Sequence, residues 1–249
     1  MNNKPLVSIV TPTYNSEVFI EETIQSILNQ SYMNWELLIV DDCSTDNTVD
    51  IIKRYTDERI KLHILEENSG AAVARNHAIK KATGKYLAFL DSDDLWTKEK
   101  LEQQVRFMQK NDLPFSFTGY ELMNEEGNLL NKYVPVPYVM TYKSLLKNTI
   151  IGCLTVMLDR EKIGEQYMPN IRAGQDTAFW LQLLKKGFTA YGINEPLAHY
   201  RIGSHSISSN KWKALQRTWR IYREIEELSI LKSSWYFTQY SLNALKKRL

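Results

Sequence analysis

The sequence is poor in cysteine and has no long hydrophobic run. Its two cysteines, Cys43 and Cys153, provide neither a disulfide framework nor metal-ligand spacing, which indicates reduced thiols. No apolar run approaches the roughly 18 residues typical of a membrane-spanning helix. Residues 1–5 also lack the apolar core of a signal peptide. These absences predict a cytoplasmic protein.

Glycine-rich phosphate-binding loops are missing as well. The chain has 10 glycines in 249 residues, with no G-x-G-x-x-G after its first predicted strand and no G-x-x-x-x-G-K-[ST] at any position. This disfavours Rossmann dinucleotide enzymes and P-loop enzymes. Residues 11–16 also lack the basic, Gly-rich loop of a sugar nucleotidyltransferase.

Charge is distributed unevenly along the chain, whose formal net charge is +2. From His205 to the C-terminus, nine Lys or Arg residues stand against three acids, a net charge of +6, which leaves −4 for the rest. This asymmetry predicts an acidic body and a basic C-terminal element.

Residues 87–94, with the sequence LAFLDSDD, combine a short apolar run with three carboxylates. The run is typical of a central strand, and ligands bind beyond the carboxyl ends of strands in open α/β sheets. Mg²⁺ takes one or two protein carboxylates and completes its shell with water and substrate phosphates. The pattern therefore predicts a metal–diphosphate site. The alternative is an acidic turn that caps the helix beginning near Thr97.

Strands and helices alternate in the first part of the chain. Strands are predicted at residues 6–10, 35–40, 60–65 and 86–91, and helices at residues 17–30, from Ser44 or Asp46 to about residue 55, and at 71–83. This alternation predicts right-handed crossovers and a parallel sheet. Gly84 is predicted to end the third helix.

The second part of the chain is predicted to be mixed. Helices are predicted at residues 98–110, 142–147 and 176–186 (ended by Gly187), an antiparallel pair at 115–123 and 129–134, and further strands at 153–158, 190–193 and 197–200. A polar linker at 203–210 precedes one or two C-terminal helices.

Polar side chains follow three of the first four predicted strands. Tyr14 follows the first strand, Asp41 and Asp42 the second, and Asp91 and Asp93 the fourth. The carboxyl ends of parallel strands converge on one crevice. Carboxylates there suit the N–H groups of a base and the hydroxyls of a ribose, and a metal would neutralise a diphosphate.

These motifs, taken in order, resemble those of one family: VSIVTPTYN at 7–15, VDDCSTD at 40–46, ARN at 74–76 and FLDSDD at 89–94. The chain resembles family 2 inverting glycosyltransferases of the GT-A fold over about residues 5–205, and most of all the bacterial cell-surface polysaccharide branch. Cys43 departs from the glycine or asparagine usual in the family.

The resemblance implies an α/β fold, with a Rossmann-like, mixed, mostly parallel sheet and a helical C-terminal extension. The implied glycosyltransferase domain is 1–209, with a nucleotide-binding half at about 1–96 and an acceptor half at about 97–209. A basic, aromatic-rich tail occupies 210–249.

The resemblance also implies a nucleotide pocket. Pro12, Tyr14 and Asp42 would line the site of base and ribose, with Arg75 near base or phosphate. Alternatives remain open at this point: Tyr14 as a packed loop aromatic, Arg75 as a surface helix residue, and Asp41 as a turn acid.

For the metal, Mn²⁺ or Mg²⁺, the resemblance implies Asp93 as direct ligand and Asp91 as a ribose or metal partner. Residues 199–208 resemble a mobile loop of the family, in which Arg201 would contact the diphosphate or the metal and His205 would complete the metal shell. A solvated loop histidine is the alternative for His205.

Asp176 is the predicted catalytic base. Inverting transfer needs a carboxylate to take the proton of the acceptor hydroxyl, and Asp176 opens an amphipathic helix whose N-terminus favours an ionised acid. The residue matches the family's base position, although Gln175 stands where glutamate is common. Simple N-capping is the alternative.

The implied donor is a nucleotide-diphosphate sugar, UDP-linked, and the implied acceptor is a saccharide or a polyprenyl-linked saccharide. The Trp, Tyr and basic residues of the tail suit a peripheral contact at the inner face of the membrane. The alternative is packing on the body or in a homodimer. A non-catalytic nucleotide-sugar-binding or scaffold subunit is the second function considered, whereas nucleic-acid binding is disfavoured because no recognised motif accompanies the basic tail.

Overall fold

The computed structural model describes residues 4–203 and 211–246. A sheet in the order β3-β2-β1-β4-β9-β6-β10-β5 runs through the body, with β7 added beside β6 and β8 beside β10. The strands are β1 Val7–Thr13, β2 Trp35–Asp41, β3 Ile60–Ile64, β4 Tyr86–Phe89, β5 Leu95–Trp96, β6 Phe115–Met123, β7 Leu129–Val134, β8 Val139–Met140, β9 Met157–Asp159 and β10 Ala190–Arg201.

Helices cover both faces of this sheet. They are α1 Ile20–Leu28, α2 Thr48–Ile52, α3 Ala71–Lys81, α4 Lys100–Asn111, α5 Tyr142–Lys147, α6 Arg160–Ile163, α7 Gln175–Lys185, α8 Lys211–Arg220 and α9 Ile230–Lys246, with a 3₁₀ turn at Cys153–Thr155 and a π-helical turn at Ile221–Ile225. No helix within the described ranges is long and apolar enough to cross a membrane.

The first four strands form the parallel part of the sheet that the alternation predicts. β1 lies between β2 and β4, parallel to both, and β3 is parallel to β2. Every residue of β1 and β2 is buried, because α1 packs on one face and α3 on the other. The carboxyl ends of β1, β2 and β4 therefore open on one edge.

Gly84 has a different role from the one predicted. α3 ends at Lys81, and a Cβ on Gly84 would lie 2.6 Å from the carbonyl oxygen of Leu6 and 2.8 Å from the Ser8 nitrogen. The Gly84 N–H donates to Ser8 Oγ at 2.8 Å. Glycine is thus required by the close approach of this loop to β1, and not by a helix end.

Two predicted elements differ from those observed. Residues 153–158 were predicted to be one strand, but the 3₁₀ turn Cys153–Thr155 precedes the short β9. The strands predicted at 190–193 and 197–200 are one strand, β10, whose register to β6 shifts on both sides of Pro196. Proline cannot donate a ladder hydrogen bond, so the irregularity falls where the sequence interrupts the pairing.

Aromatic contacts with the sheet orient α7. Phe179 and Trp180 are fully buried, and the Trp180 ring lies 5.4 Å from that of Phe89 and 5.5 Å from that of Phe115. These contacts join α7 to β4 and β6, and they fix the N-terminal end of the helix, where Asp176 lies.

The C-terminal tail, residues 211–246, docks on α5. Tyr222 is buried and donates a hydrogen bond to the carbonyl of Leu146, while Glu226 accepts one from the Tyr142 hydroxyl at 2.5 Å. The predicted linker and the boundary at residue 209 lie outside the described residues. Packing of the tail on the body, the alternative to membrane contact, is therefore correct for the side of the tail that carries Tyr222 and Glu226.

Candidate active site

A cleft of about 200 Å³ lies at the sheet edge where β1, β2 and β4 end. It is lined by Pro12, Thr13, Tyr14, Asp42, Ala71, Arg75, Asp91, Ser92 and Asp93. The strand-end residues predicted from the sequence, together with Arg75 of α3, therefore line one cavity. Thr13, Ala71 and Ser92 were not predicted; the buried hydroxyl of Thr13 has no hydrogen-bond partner among the described residues.

The two acids after β2 have different partners. Asp42 accepts the Ser69 N–H at 2.7 Å and the Gly70 N–H at 2.8 Å, which ties the end of β2 to the loop before α3. Asp41 is fully buried and accepts the Ser44 N–H at 2.8 Å. Asp41 is therefore a turn acid, whereas Asp42 faces the cleft.

Tyr14 is 48% exposed and stands on the wall of the cleft, so it is not a packed loop aromatic. The neighbouring Asn15 accepts the Thr45 N–H at 2.8 Å, which joins the loops after β1 and β2. An exposed ring on a fixed loop leaves a face on which a base can stack.

Cys43 occupies a left-handed conformation, with φ of 67°. Glycine and asparagine adopt this region at little cost, whereas other side chains lose about 1–2 kcal/mol there. The backbone thus explains why the family favours glycine or asparagine at this position.

Asp91 and Arg75 form an ion pair that reaches across the base of the cleft. Arg75 is 5% exposed, so the surface-residue alternative is wrong. Burial alone would lower the Arg75 pKa, but the Asp91 carboxylate holds that pKa above its ordinary value. Its Nε and Nη1 nitrogens are buried and lack hydrogen-bond partners among the described residues.

Hydrogen bonds from α1 and β10 hold the turn that carries Asp93. Thr23 Oγ1 lies 3.0 Å from the carbonyl oxygens of both Ser92 and Asp94, and the Arg201 N–H donates to the Asp94 carboxylate at 2.8 Å. Burial, then repulsion from Asp93 and Asp91, raises the Asp94 pKa well above its usual range. Asp94 is a structural residue, and Asp93 stands at the tip of the turn.

Asp93 fits a divalent cation. Its side chain is exposed, yet the walls of the cleft desolvate the carboxylate and, together with the negative charge of Asp91, raise its pKa to about 6. The exposure of Asp93 matters more here than its raised pKa, because a cation can contact the carboxylate directly. The charge of the cation would also offset the repulsion between Asp93 and Asp91. The described chain has no cluster of three or more His, Cys, Asp or Glu residues arranged for metal binding, but Mg²⁺ needs only one or two carboxylates beside a diphosphate.

Arg201, the predicted contact to the diphosphate or the metal, does not line the cleft with Tyr14 but lines the adjoining pocket together with Asp93. It is buried, and its guanidinium donates to the carbonyls of Asp93 and Glu125, both at 2.7 Å, and to Glu22 Oε2 at 2.6 Å. These bonds occupy the guanidinium outside the cleft lined by Tyr14. Arg201 therefore positions the Asp93 turn. His205, predicted to reach the metal, lies outside the described residues.

Asp176 lies at the second position of α7, after Gly174 as N-cap; the N-capping alternative is therefore wrong. Its carboxylate accepts no hydrogen bond from the described residues. The electrostatic field of Asp176 reaches both Arg75 and Cys153, as does that of Asp91. Asp176 thus lies near Arg75, which lines the cleft, but is not itself a lining residue.

Comparison with known proteins agrees with this geometry. The sequence pattern described as "Glycosyl transferase family 2" matches residues 8–164, a stretch that contains all the motifs of the cleft. The chain belongs to glycosyltransferase family 2. The family inferred from the four motifs is confirmed, and the protein is a glycosyltransferase.

Two relatives align over nearly the whole family 2 chain. TuaG of Bacillus subtilis (strain 168), provisionally named as a teichuronic acid biosynthesis glycosyltransferase, is 60% identical over 100% of this chain and 99% of its own. WfgD of Escherichia coli, named as a UDP-Glc:alpha-D-GlcNAc-diphosphoundecaprenol beta-1,3-glucosyltransferase, is 42% identical over 97% of this chain and 94% of its own.

Solved structures confirm the fold. Staphylococcus aureus TarS 1-349, solved with UDP-GlcNAc, has a TM-score of 0.69 at 20% identity. The match covers 94% of this chain and 71% of the TarS chain. The mannosyltransferase PcManGT of Pyrobaculum calidifontis, solved with GDP-Man and Mn²⁺, has a TM-score of 0.70 at 18% identity. The match covers 97% of this chain and 74% of the PcManGT chain. The mixed α/β sheet is that of the GT-A fold.

Proposed function

We propose that this protein transfers a sugar, with inversion, from a UDP-linked donor to a polyprenyl-linked saccharide in cell-surface polysaccharide synthesis. The observation that carries the proposal is the cleft, which Asp42, Asp93 and an exposed Tyr14 line together. Asp176 lies near Arg75 of this cleft, and its carboxylate accepts no hydrogen bond from the described residues. The named activity of WfgD and the UDP-GlcNAc complex of TarS support this donor and acceptor class.

In the proposed reaction, the base would stack on Tyr14 and donate its N–H to Asp42. Asp176 would take the proton of the acceptor hydroxyl while that oxygen forms a bond to the anomeric carbon and the bond to the diphosphate breaks. The electron pair of the broken bond goes to the diphosphate. Mn²⁺ or Mg²⁺ held by Asp93 would supply charge neutralisation there, and Arg75 would lie near the base or phosphate.

A non-catalytic nucleotide-sugar-binding subunit is the second candidate. It would need the cleft but not a carboxylate beyond it. Asp176 favours the enzyme because the aromatic anchoring of α7 holds this acid rigidly, while none of the described residues donates a hydrogen bond to it.

The proposed donor class predicts selective thermal stabilisation. A ligand at 100 times its Kd stabilises the folded state by about 2.7 kcal/mol, which for a chain of this size raises the Tm by roughly 5–10 °C. UDP-sugars with Mn²⁺ are expected to give this shift in differential scanning fluorimetry, while GDP-, dTDP- and CMP-sugars give less. Each nucleotide is also measured with EDTA as the control. Equal shifts with all nucleotides, or none with UDP-sugars, would contradict the proposal.

Peripheral contact with an anionic membrane is part of the proposal. Leu231, Trp235 and Leu242 are exposed. Trp235 and Leu242 lie four and eleven residues after Leu231, so the three side chains form an apolar stripe along one side of α9. Lys232 is exposed beside the stripe, and the segment from His205 onward carries the net +6. An apolar stripe flanked by positive charge suits anionic lipid at the cytoplasmic face.

Removing the apolar stripe is expected to abolish vesicle binding. The full-length Leu231→Ser/Trp235→Ser variant should stay in the supernatant in sedimentation with phosphatidylglycerol vesicles, whereas the wild-type protein pellets. Met33→Ser is the matched control, since Met33 is 59% exposed in the other half of the protein. Unchanged sedimentation of the double variant would contradict membrane docking, and a wild-type dimer that the variant dissociates would assign the stripe to a homodimer.

A further inference from the structure

The C-terminal tail contacts the segment that leads into the catalytic helix. Gly174, the residue before α7, has φ of +80°. A Cβ at this position would lie 2.9 Å from Arg217 Cδ of α8 and 2.9 Å from Ile221 Cδ1. The stem of Arg217 therefore rests on a residue only two positions before Asp176.

Arg217 has no anion partner among the described residues. It is half-buried, and its guanidinium forms no hydrogen bond or ion pair with the residues that the structure describes. Arg201 and Arg220, by contrast, are paired with Glu22 and Glu224. The guanidinium of Arg217 is therefore available to an anionic ligand.

Arg172 lies close to Gly174 in the chain. Arg172 is exposed in the loop that leads to Gly174 and likewise has no ion pair within ranges 4–203 and 211–246. Two guanidinium groups thus flank the start of α7, one from the loop before it and one from the tail. The diphosphate of the donor is assigned to Asp93 in the cleft, and neither Arg172 nor Arg217 lines that cleft.

We propose that Arg217, assisted by Arg172, binds the diphosphate of the lipid-linked acceptor. The inference rests on the proposed function and specifies its acceptor site. A guanidinium matches phosphate oxygens with paired N–H donors. The diphosphate directly follows the acceptor sugar, so it would lie on the tail side of Asp176 while the lipid continues toward the membrane-facing apolar stripe.

The test compares two acceptor probes on the full-length protein with saturating UDP and Mn²⁺, so that the donor site is filled. One probe is α-GlcNAc joined to decanol through a diphosphate, and the other is decyl α-GlcNAc without it. Calorimetry on the wild-type protein should show roughly 10- to 100-fold tighter binding of the diphosphate probe, the range typical of hydrogen bonds to charged groups. Arg217→Gln should remove most of this preference, and Arg172→Gln part of it, without weakening the binding of decyl α-GlcNAc.

Arg220→Gln is the matched control, because it removes the same charge from the same helix at an exposed position paired with Glu224. It should keep the preference. Equal weakening of both probes by Arg217→Gln would mean a purely structural role, and an equal loss in Arg220→Gln would mean general charge attraction; either overturns the inference. A wild-type protein that binds UDP but does not prefer the diphosphate probe overturns the inference alone. Failure to bind UDP overturns the proposed function.

Discussion

Asp176→Asn is expected to reduce sugar transfer by roughly 10²- to 10⁴-fold, the contribution typical of a general base, while leaving donor binding intact. The amide has nearly the same shape as the carboxylate but cannot take the proton of the acceptor hydroxyl. No hydrogen bond among the described residues depends on the acid, so the fold should not change. The measurements are initial rates of transfer and the thermal shift given by UDP-sugar with Mn²⁺.

Asp57→Asn is the control for this variant, because Asp57 pairs with Arg59 near the start of β3 and lies outside the cleft. Its transfer rate should match that of the wild-type protein. A near-normal rate for Asp176→Asn would remove the base assignment and favour the non-catalytic alternative. Loss of the thermal shift in Asp176→Asn would instead mean that Asp176 supports the donor site.

The convergence of Tyr14, Asp42 and Asp93 could be predicted because it follows from topology. Parallel strands end at the same edge, so polar residues after successive strands meet there whatever the details of packing. The same reasoning could not separate Asp41 from Asp42. Adjacent residues of a strand point to opposite sides, and only the loop contacts at Ser44 and Ser69 show which acid belongs to the turn and which to the cleft.

Contacts between distant parts of the chain could not be predicted. Arg201 bonds to Glu22, Asp93 and Glu125, a set that only the folded sheet brings together, so its placement in a motif-like loop suggested a ligand contact. Similarly, Gly84 follows a helix, and glycine commonly terminates helices. In the structure, however, glycine is required at this position because the loop passes close to Ser8 of β1. In both cases the residue is explained by contacts with distant parts of the chain and not by its local sequence pattern.

The burial of the aromatic residues in the tail could not be predicted from the sequence either. Its aromatic residues suggested a choice between membrane contact and packing, but the structure divides them: Trp219 packs against Phe237 at 5.5 Å, while Trp212 and Trp235 are exposed. A composition argument treats these residues alike, because burial depends on which side of each helix meets the body. The docked side holds the tail beside Asp176, and the exposed side remains for a partner.

Asp93→Ala is expected to abolish metal-dependent donor binding and transfer together. The carboxylate is the exposed acid at the tip of the turn, and Asp91 beside it is engaged by Arg75, so the described cleft offers no equivalent replacement. A metal ion contributes several kcal/mol to transfer of this kind, which corresponds to a loss of roughly 10³-fold or more. Isothermal titration with UDP, with and without Mn²⁺, and initial rates measure the two effects.

EDTA on the wild-type protein should reproduce the result, and adding EDTA to Asp93→Ala should have no further effect. Glu99→Ala is a suitable control, as an exposed acid before α4 that has no ion pair among the described residues and lines neither this cleft nor the adjoining pocket that Asp93 also lines. An Asp93→Ala protein that still responds to Mn²⁺ would move the metal to Asp91. Because Asp91 would then have to leave Arg75, such a response would also mean that donor binding rearranges the ion pair at the base of the cleft.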